Sequence, residues 1–70
     1  MADSYKGYEI AIGHTHQLGD GNWQSTAVIG LGGKMVHQGN GDGRTESEAR
    51  SAAMFNARQW IDKQTQPAAP

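Results

Sequence analysis

Gly43-Arg-Thr-Glu-Ser-Glu-Ala-Arg-Ser-Ala-Ala-Met-Phe-Asn-Ala-Arg-Gln-Trp-Ile-Asp-Lys63 is the stretch that decides the fold, because it predicts the one long helix of the chain. Thr45 and Glu48 fit a capping box, in which the threonine hydroxyl accepts the amide N–H of residue 48 and the glutamate bonds back to the amide of Thr45. Glu46 and Glu48 also place negative charge at the positive end of the helix dipole. The helix is therefore predicted to begin after Thr45 and to continue to Lys63.

The predicted helix has one apolar stripe when its residues are placed at 3.6 per turn. The stripe consists of Ala49, Ala53, Ala57, Trp60 and Ile61, it is flanked by Ala52 and Met54, and Arg50, Ser51, Arg58 and Asp62 lie on the opposite side. Because the inner turns are mostly alanine, the helix can lie close against a sheet. Phe55 falls off the stripe, so its ring is predicted to contact a loop or another chain.

Length and composition limit what this chain can be. A domain of 70 residues without cysteine buries only about 60 % of its unfolded surface and has no disulfide to stabilise it. Association with a second copy or a partner is the remaining source of stability. A net charge of -1 argues against strong attraction to nucleic acid or anionic membranes. No apolar run approaches the roughly 20 residues that span a bilayer, so we expect a soluble, cytoplasmic protein.

Two alternating runs before the helix predict strands. The first runs from Tyr5 to about His16, with Tyr8, Ile10, Ile12 and His14 facing inward. A turn over residues 18–22 follows, since glycine and Asx residues favour chain reversal. The second strand runs from Trp23 to Leu31 and directs Trp23, Ser25, Ala27, Ile29 and Leu31 toward the helix.

A third strand is predicted after Gly32-Gly33, a dipeptide typical of two-residue hairpins. In that register Leu31 pairs with Lys34 and Ile29 with Val36, so Val36 joins the core. Met35 and His37 then point to the outer face, because side-chain direction alternates along a strand. The glycine-rich residues 38–43 are predicted to form a flexible loop into the helix.

The expected architecture is an α+β domain over residues 5–63. It is a β-β-β-α chain, a three-stranded antiparallel sheet with one C-terminal α-helix packed on one face, between disordered segments at 1–4 and 64–70. Nothing in the chain is left to cover the other sheet face, which makes it a candidate interaction surface. With the off-stripe ring added, the candidate residues are Ala11, Thr26, Val28, Met35, His37 and Phe55.

The three histidines and the Gly39-x-Gly41-x-Gly43 run are the candidates for metal and phosphate binding. His14 and His16 are two apart on one strand and point the same way, but the predicted register places His37 on the opposite face, so no metal site is expected. The glycine run lacks the lysine and serine of a phosphate loop and is flanked by acidic residues. No nucleophile, base and orienting group converge, so we expect neither a cofactor nor enzymatic activity.

Residues 43–60, preceded by three strands, resemble the second half of a double-stranded-RNA-binding domain. Thr45, Ala49, Ala52, Ala53 and Ala57 match the packing positions of that family. The phosphate-binding lysines are replaced by Glu46, which would repel a phosphate, and by Ser47, which has no positive charge. The resemblance therefore implies shared packing more than a shared ligand.

A second resemblance is to the N-terminal half of HicB-type antitoxins, in which Gly-x-Thr-x-x-Glu-Ala opens the helix. Gly43, Thr45, Glu48 and Ala49 match that signature, and the chain is also similar to small bacterial proteins of unknown function with this build. The resemblance implies a protein-binding or oligomeric module. We therefore expect a non-enzymatic interaction module, a homodimer or one with a protein partner, and the alternative is a nucleic-acid-binding domain.

Overall fold

The computed structural model describes residues 3–65 of the chain. Four strands precede one helix: β1 (Asp3–Tyr5), β2 (Tyr8–Gln17), β3 (Trp23–Leu31), β4 (Lys34–Gly43) and α1 (Glu46–Thr65). The strands form one antiparallel sheet in the order β1-β2-β3-β4. The helix packs on one face of that sheet, as predicted for an α+β protein. No helix within residues 3–65 has the length and apolar character needed to cross a bilayer.

The sheet has four strands and not the predicted three, because the N-terminal residues form a short hairpin. Tyr5 pairs with Tyr8 across Lys6-Gly7, and both turn residues have positive φ, 51° and 86°. Positive φ at both central positions is the signature of a type I′ turn, which suits the twist of two paired strands. Asp3 and Ser4, expected to be disordered, therefore lie in β1, while residues 1–2 lie outside the described range.

A bulge in β2 changes the direction of its C-terminal half. The register shifts between Ile12, which pairs with Ala27, and His14, which pairs with Thr26. The extra residue, Gly13, reverses the alternation. His14 therefore lies on the outer face and not on the inner face, and Thr15 turns inward, where its hydroxyl lies 2.9 Å from that of buried Ser25.

The β3–β4 hairpin has the predicted turn but a different register. Leu31 pairs with Lys34 across Gly32-Gly33, whose φ angles are 61° and 84°. Gly30 pairs with Met35, and after this pair the register shifts, so that Ile29 pairs with His37. Val36 is the extra residue of this bulge and has no partner on β3. Val36 is consequently 43 % exposed and not in the core, and His37 faces the helix and not the outer side.

Residues 38–43 continue β4 and do not form the predicted loop. Gly39, Gly41 and Gly43 alternate along the strand on the face that the helix covers. A Cβ on Gly41 would overlap the backbone nitrogen of Ala53, and one on Gly43 would lie 2.6 Å from the nitrogen of Ala49. Glycine is required at both positions because the helix backbone lies directly on the strand.

The helix begins as predicted. The amide of Glu48 donates to Thr45 Oγ1 at 3.1 Å, and the threonine hydroxyl lies 3.3 Å from Glu48 Oε2, so the glutamate bonds to the hydroxyl and not to the Thr45 amide. Buried residues Ala49, Ala53, Ala57 and Ile61 confirm the predicted stripe, and together with Ile10, Ala27 and Ile29 they form the core. The helix extends to Thr65, past the predicted end at Lys63, and residues 66–70 of the predicted tail lie outside the described range.

Candidate interaction surface

The face of the sheet opposite the helix, hereafter the outer face, carries four rows of side chains across β2, β3 and β4. No other element among residues 3–65 lies over it, since the helix packs on the opposite side. The rows are Glu9, Gly30 and Met35; Ala11, Val28 and Gln38; His14, Thr26 and Asn40; His16, Gln24 and Asp42. The outer face is therefore apolar at the end near the β3–β4 turn and polar at the other end.

The apolar half contains a shallow depression of about 190 Å³. It is lined by the outer-face residues Ala11, Val28, Gly30 and Met35, and by Glu9, Gly33 and Lys34. The Met35 side chain is 61 % exposed, and the Gln38 side-chain amide approaches its sulfur at 3.5 Å. An unbranched thioether in a surface depression can adapt to a partner of varied shape. The structure thus brings together four of the six predicted surface residues, namely Ala11, Thr26, Val28 and Met35.

The polar half contains the two neighbouring histidines of β2. The ring centroids of His14 and His16 are 4.9 Å apart and the rings are inclined by 33°, so both imidazoles lie on the same side of the sheet, as their spacing predicted. That side is the outer face and not the inner face predicted for His14, because of the bulge at Gly13. Next to them, the hydroxyl of Thr26 donates to the side-chain oxygen of Asn40 at 3.1 Å. Among the described residues, His16 Nδ1 is buried without a hydrogen-bond partner.

His37 and Phe55, the other two predicted surface residues, lie elsewhere. The His37 ring stacks on Trp60 of the helix, with centroids 4.5 Å apart and planes 4° from parallel, and Tyr8 meets the same indole edge-on at 6.1 Å. His37 therefore belongs to an aromatic layer between sheet and helix. Phe55 is 59 % exposed on the helix, turned away from the buried stripe, so it cannot share an interface with the outer face.

Asp62 connects the helix to the β1–β2 hairpin. Its Oδ1 accepts a hydrogen bond from the Tyr5 hydroxyl at 2.8 Å and lies 2.7 Å from Lys6 Nζ. The hydrogen bond from Lys6, and then the one from Tyr5, lower the pKa of the Asp62 carboxyl. The same bond to Asp62 raises the pKa of Lys6 and that of Tyr5. The sequence placed Asp62 on the solvent side of the helix and missed this contact, because β1 was not predicted.

Among the described residues, Lys6 and Arg58 both lie over the Tyr5 ring, while Lys34, Arg44 and Arg50 lie on other parts of the domain. Lys6 pairs with Asp62, Arg50 pairs with Glu46 on the same helix, and Arg58 lies 6.0 Å from the centre of the Tyr5 ring. Lys34 lies at the β3–β4 turn, while Arg44 lies at the start of the helix, at the other end of β4. The helix N-terminus, where the RNA-binding resemblance would place phosphate contacts, carries Glu46 and Glu48.

The sequence placed Glu9 on the outer face, but neither Glu9 nor Lys34 was among the predicted interaction residues, and both line the depression. They lie near each other because Glu9 pairs with Gly30 on β3, and Gly30 pairs with Met35, the residue next to Lys34, on β4. Within residues 3–65 no group of three or more histidine or acidic side chains is placed to hold one metal ion.

Comparisons of the chain with protein-family models, with curated proteins and with solved structures found no match.

Proposed function

We propose that this protein is a non-enzymatic interaction module that associates with a second copy of itself through the outer face. The observation that carries the proposal is that this face is uncovered and has an apolar half, with Met35 61 % exposed beside the depression. In a domain of 70 residues, burying that half in a dimer would add the apolar contact that a single small core lacks.

A second copy suits the charges that line the depression. In a two-fold interface each residue that contacts a second residue is contacted by it in return. Glu9 and Lys34 carry opposite charges and both line the depression, Lys34 at the β3–β4 turn, so the charges around the depression of one copy can complement those of the other.

The size of the outer face predicts weak association. Three long strands spaced about 4.8 Å apart, with about 3.3 Å per residue, give a face of roughly 400 Å². Stable complexes bury about 800 Å² on each partner. We therefore expect a dimer that dissociates in the micromolar range or above, which suits reversible association.

The test is sedimentation of the wild type from about 10 µM to about 1 mM, compared with two matched variants. Met35→Glu and Phe55→Glu each place a charge at a large apolar side chain that is about 60 % exposed, one on the outer face and one on the helix. Met35→Glu should stay monomeric while Phe55→Glu dimerises like the wild type. A monomeric wild type at the highest concentration, or dimerisation lost only in Phe55→Glu, would overturn the proposal.

The same samples address the alternative function. A low-salt shift assay with duplex RNA should show no retardation, because the cations at Lys34 and Arg44 are far apart and the helix start is acidic. The resemblances to HicB-type antitoxins and to RNA-binding domains remain predictions, since a fold does not define a function. The cytoplasmic location also remains a prediction.

A further inference from the structure

The polar half of the outer face holds a pair of imidazoles that the proposed function does not use. We propose that His14 and His16 chelate a divalent transition-metal ion, and that a second copy of the chain supplies the remaining ligands. This inference rests on the proposed function, because the outer faces of two copies must meet for the site to be complete.

The spacing of the two rings fits chelation. With a metal–nitrogen bond of about 2.05 Å, the ion lies about 3.2 Å from the centre of each imidazole ring. For ligand angles between about 90° and about 109°, two rings on one ion then have centres about 4.5 to 5.2 Å apart. The observed distance between the His14 and His16 centroids is 4.9 Å. The bulge at Gly13 produces this arrangement, because it turns both rings to the uncovered side of the sheet.

The nitrogen that would bind can be assigned for one ring. Nδ1 of His16 is buried, so an ion arriving from solvent can reach only Nε2 of that imidazole. His14 is exposed and free of this constraint. Imidazole nitrogens suit zinc, copper and nickel and not magnesium or calcium, which prefer oxygen.

One chain supplies only half of a zinc site. Zinc takes four ligands in structural sites, and no third histidine or acidic side chain joins the pair within residues 3–65. On β3, Thr26 pairs with His14 and Gln24 pairs with His16. Their hydroxyl and amide groups are not usual zinc ligands. The other ligands must come from a second outer face or from water.

Zinc alone is the probe, added to the wild type at a concentration where the metal-free protein is monomeric. Sedimentation should show a zinc-dependent shift to the dimer mass, and the Nε2 NMR resonance of His16 should move together with a ring nitrogen resonance of His14. His14→Ala and His16→Ala should lose the mass shift. His37→Gln, which removes the histidine of the other face, should keep it, and circular dichroism checks that each variant is folded.

Zinc binding without a change in mass, no movement of the His16 Nε2 resonance or of either His14 ring nitrogen resonance, or a mass shift that survives His14→Ala would each overturn the inference. The proposed function fails in a different way. It fails if metal-free protein never dimerises at high concentration, and Met35→Glu tests that step without touching either histidine. A zinc-dependent dimer beside a monomeric metal-free protein would therefore refute only the proposed apolar association.

Discussion

Three glycines and three alanines determine how closely the helix approaches the sheet. Gly43, Gly41 and Gly39 lie against the helix near Ala49, Ala53 and Ala57, in that order. Two strand residues advance about 6.7 Å and four helix residues about 6.0 Å, so the two repeats stay nearly in step over this length. Since neither row has a side chain larger than a methyl group, the helix backbone rests on the strand backbone.

Gly41→Ala should destabilise the protein by at least about 3 kcal/mol, because the added Cβ would overlap the Ala53 backbone and lie 2.6 Å from its Cα. Gly39→Ala is the matched control two residues away, where the nearest atom would be 3.9 Å from the new Cβ. That variant should stay within about 1 kcal/mol of the wild type. Urea unfolding of both variants measures the difference, and equal stabilities would contradict the close approach.

Thr45→Ala should cost about 1 kcal/mol, since it removes the acceptor for the Glu48 amide at the first turn of the helix. Thr45→Ser keeps a hydroxyl at the same position and should retain most of that stability. The measurement is the free energy of unfolding of the three proteins. A Thr45→Ala variant as stable as the wild type would mean that the cap contributes nothing.

At the scale of elements, β1 is the strand with the fewest neighbours. It has three residues, pairs only with β2, and is tied to the helix through the bonds of Tyr5 and Lys6 to Asp62. An edge strand of this length forms few ladder hydrogen bonds, so the bonds to Asp62 are needed to hold it in place. Edge strand β4 is held by the helix above it. The side-chain amide of Asn56 on the helix donates to the backbone carbonyl of Asn40 at 2.6 Å.

Asp62→Asn should reduce the dependence of stability on pH in acid. The pKa of the Asp62 carboxyl is lowered in the folded state, so its contribution is present above the unfolded pKa of about 4 and is lost as pH falls through the lower folded value. The raised pKa of Lys6 acts in alkaline solution, where the stability that Lys6 contributes is lost as pH rises through the pKa of Lys6 in the folded state. Melting temperature between about pH 2 and pH 7 measures the acid branch.

The control for this experiment is Asp42→Asn, which removes the same charge from the opposite edge strand. It should keep the acid branch of the wild-type profile. Amide exchange of residues 3–5 should accelerate in Asp62→Asn and not in the control, because β1 loses its link to the helix. Unchanged exchange in β1 would show that the hairpin holds without Asp62.

At the scale of the whole molecule, two layers make a flat domain. The Cα atoms extend over 44 × 29 × 14 Å, so one broad side is helix and the other is the outer face. A two-layer domain has one core between its layers, and any apolar side chain on the far side of the sheet remains in water. The proposed dimer would place a second apolar layer there.

At concentrations where the folded protein is dimeric, the melting temperature must depend on protein concentration. For unfolding of a dimer to two chains of 70 residues, a tenfold rise in concentration should raise it by about 5 °C. Met35→Glu should melt at one temperature at every concentration. Calorimetry at two concentrations gives the answer, and a constant melting temperature for the wild type would exclude coupling between folding and association.

Local patterns in the sequence determined the helix start, the buried stripe, the Gly32-Gly33 turn and the antiparallel strands, because each depends on residues close together in the chain. Only the tertiary structure decided the faces of His14, Val36 and His37. Each of these depends on a bulge, which forms where the sum of cross-strand contacts favours one extra residue. The glycines of residues 38–43 look like a loop in isolation, and they form a strand because the helix returns over them and its alanines leave room only for glycine.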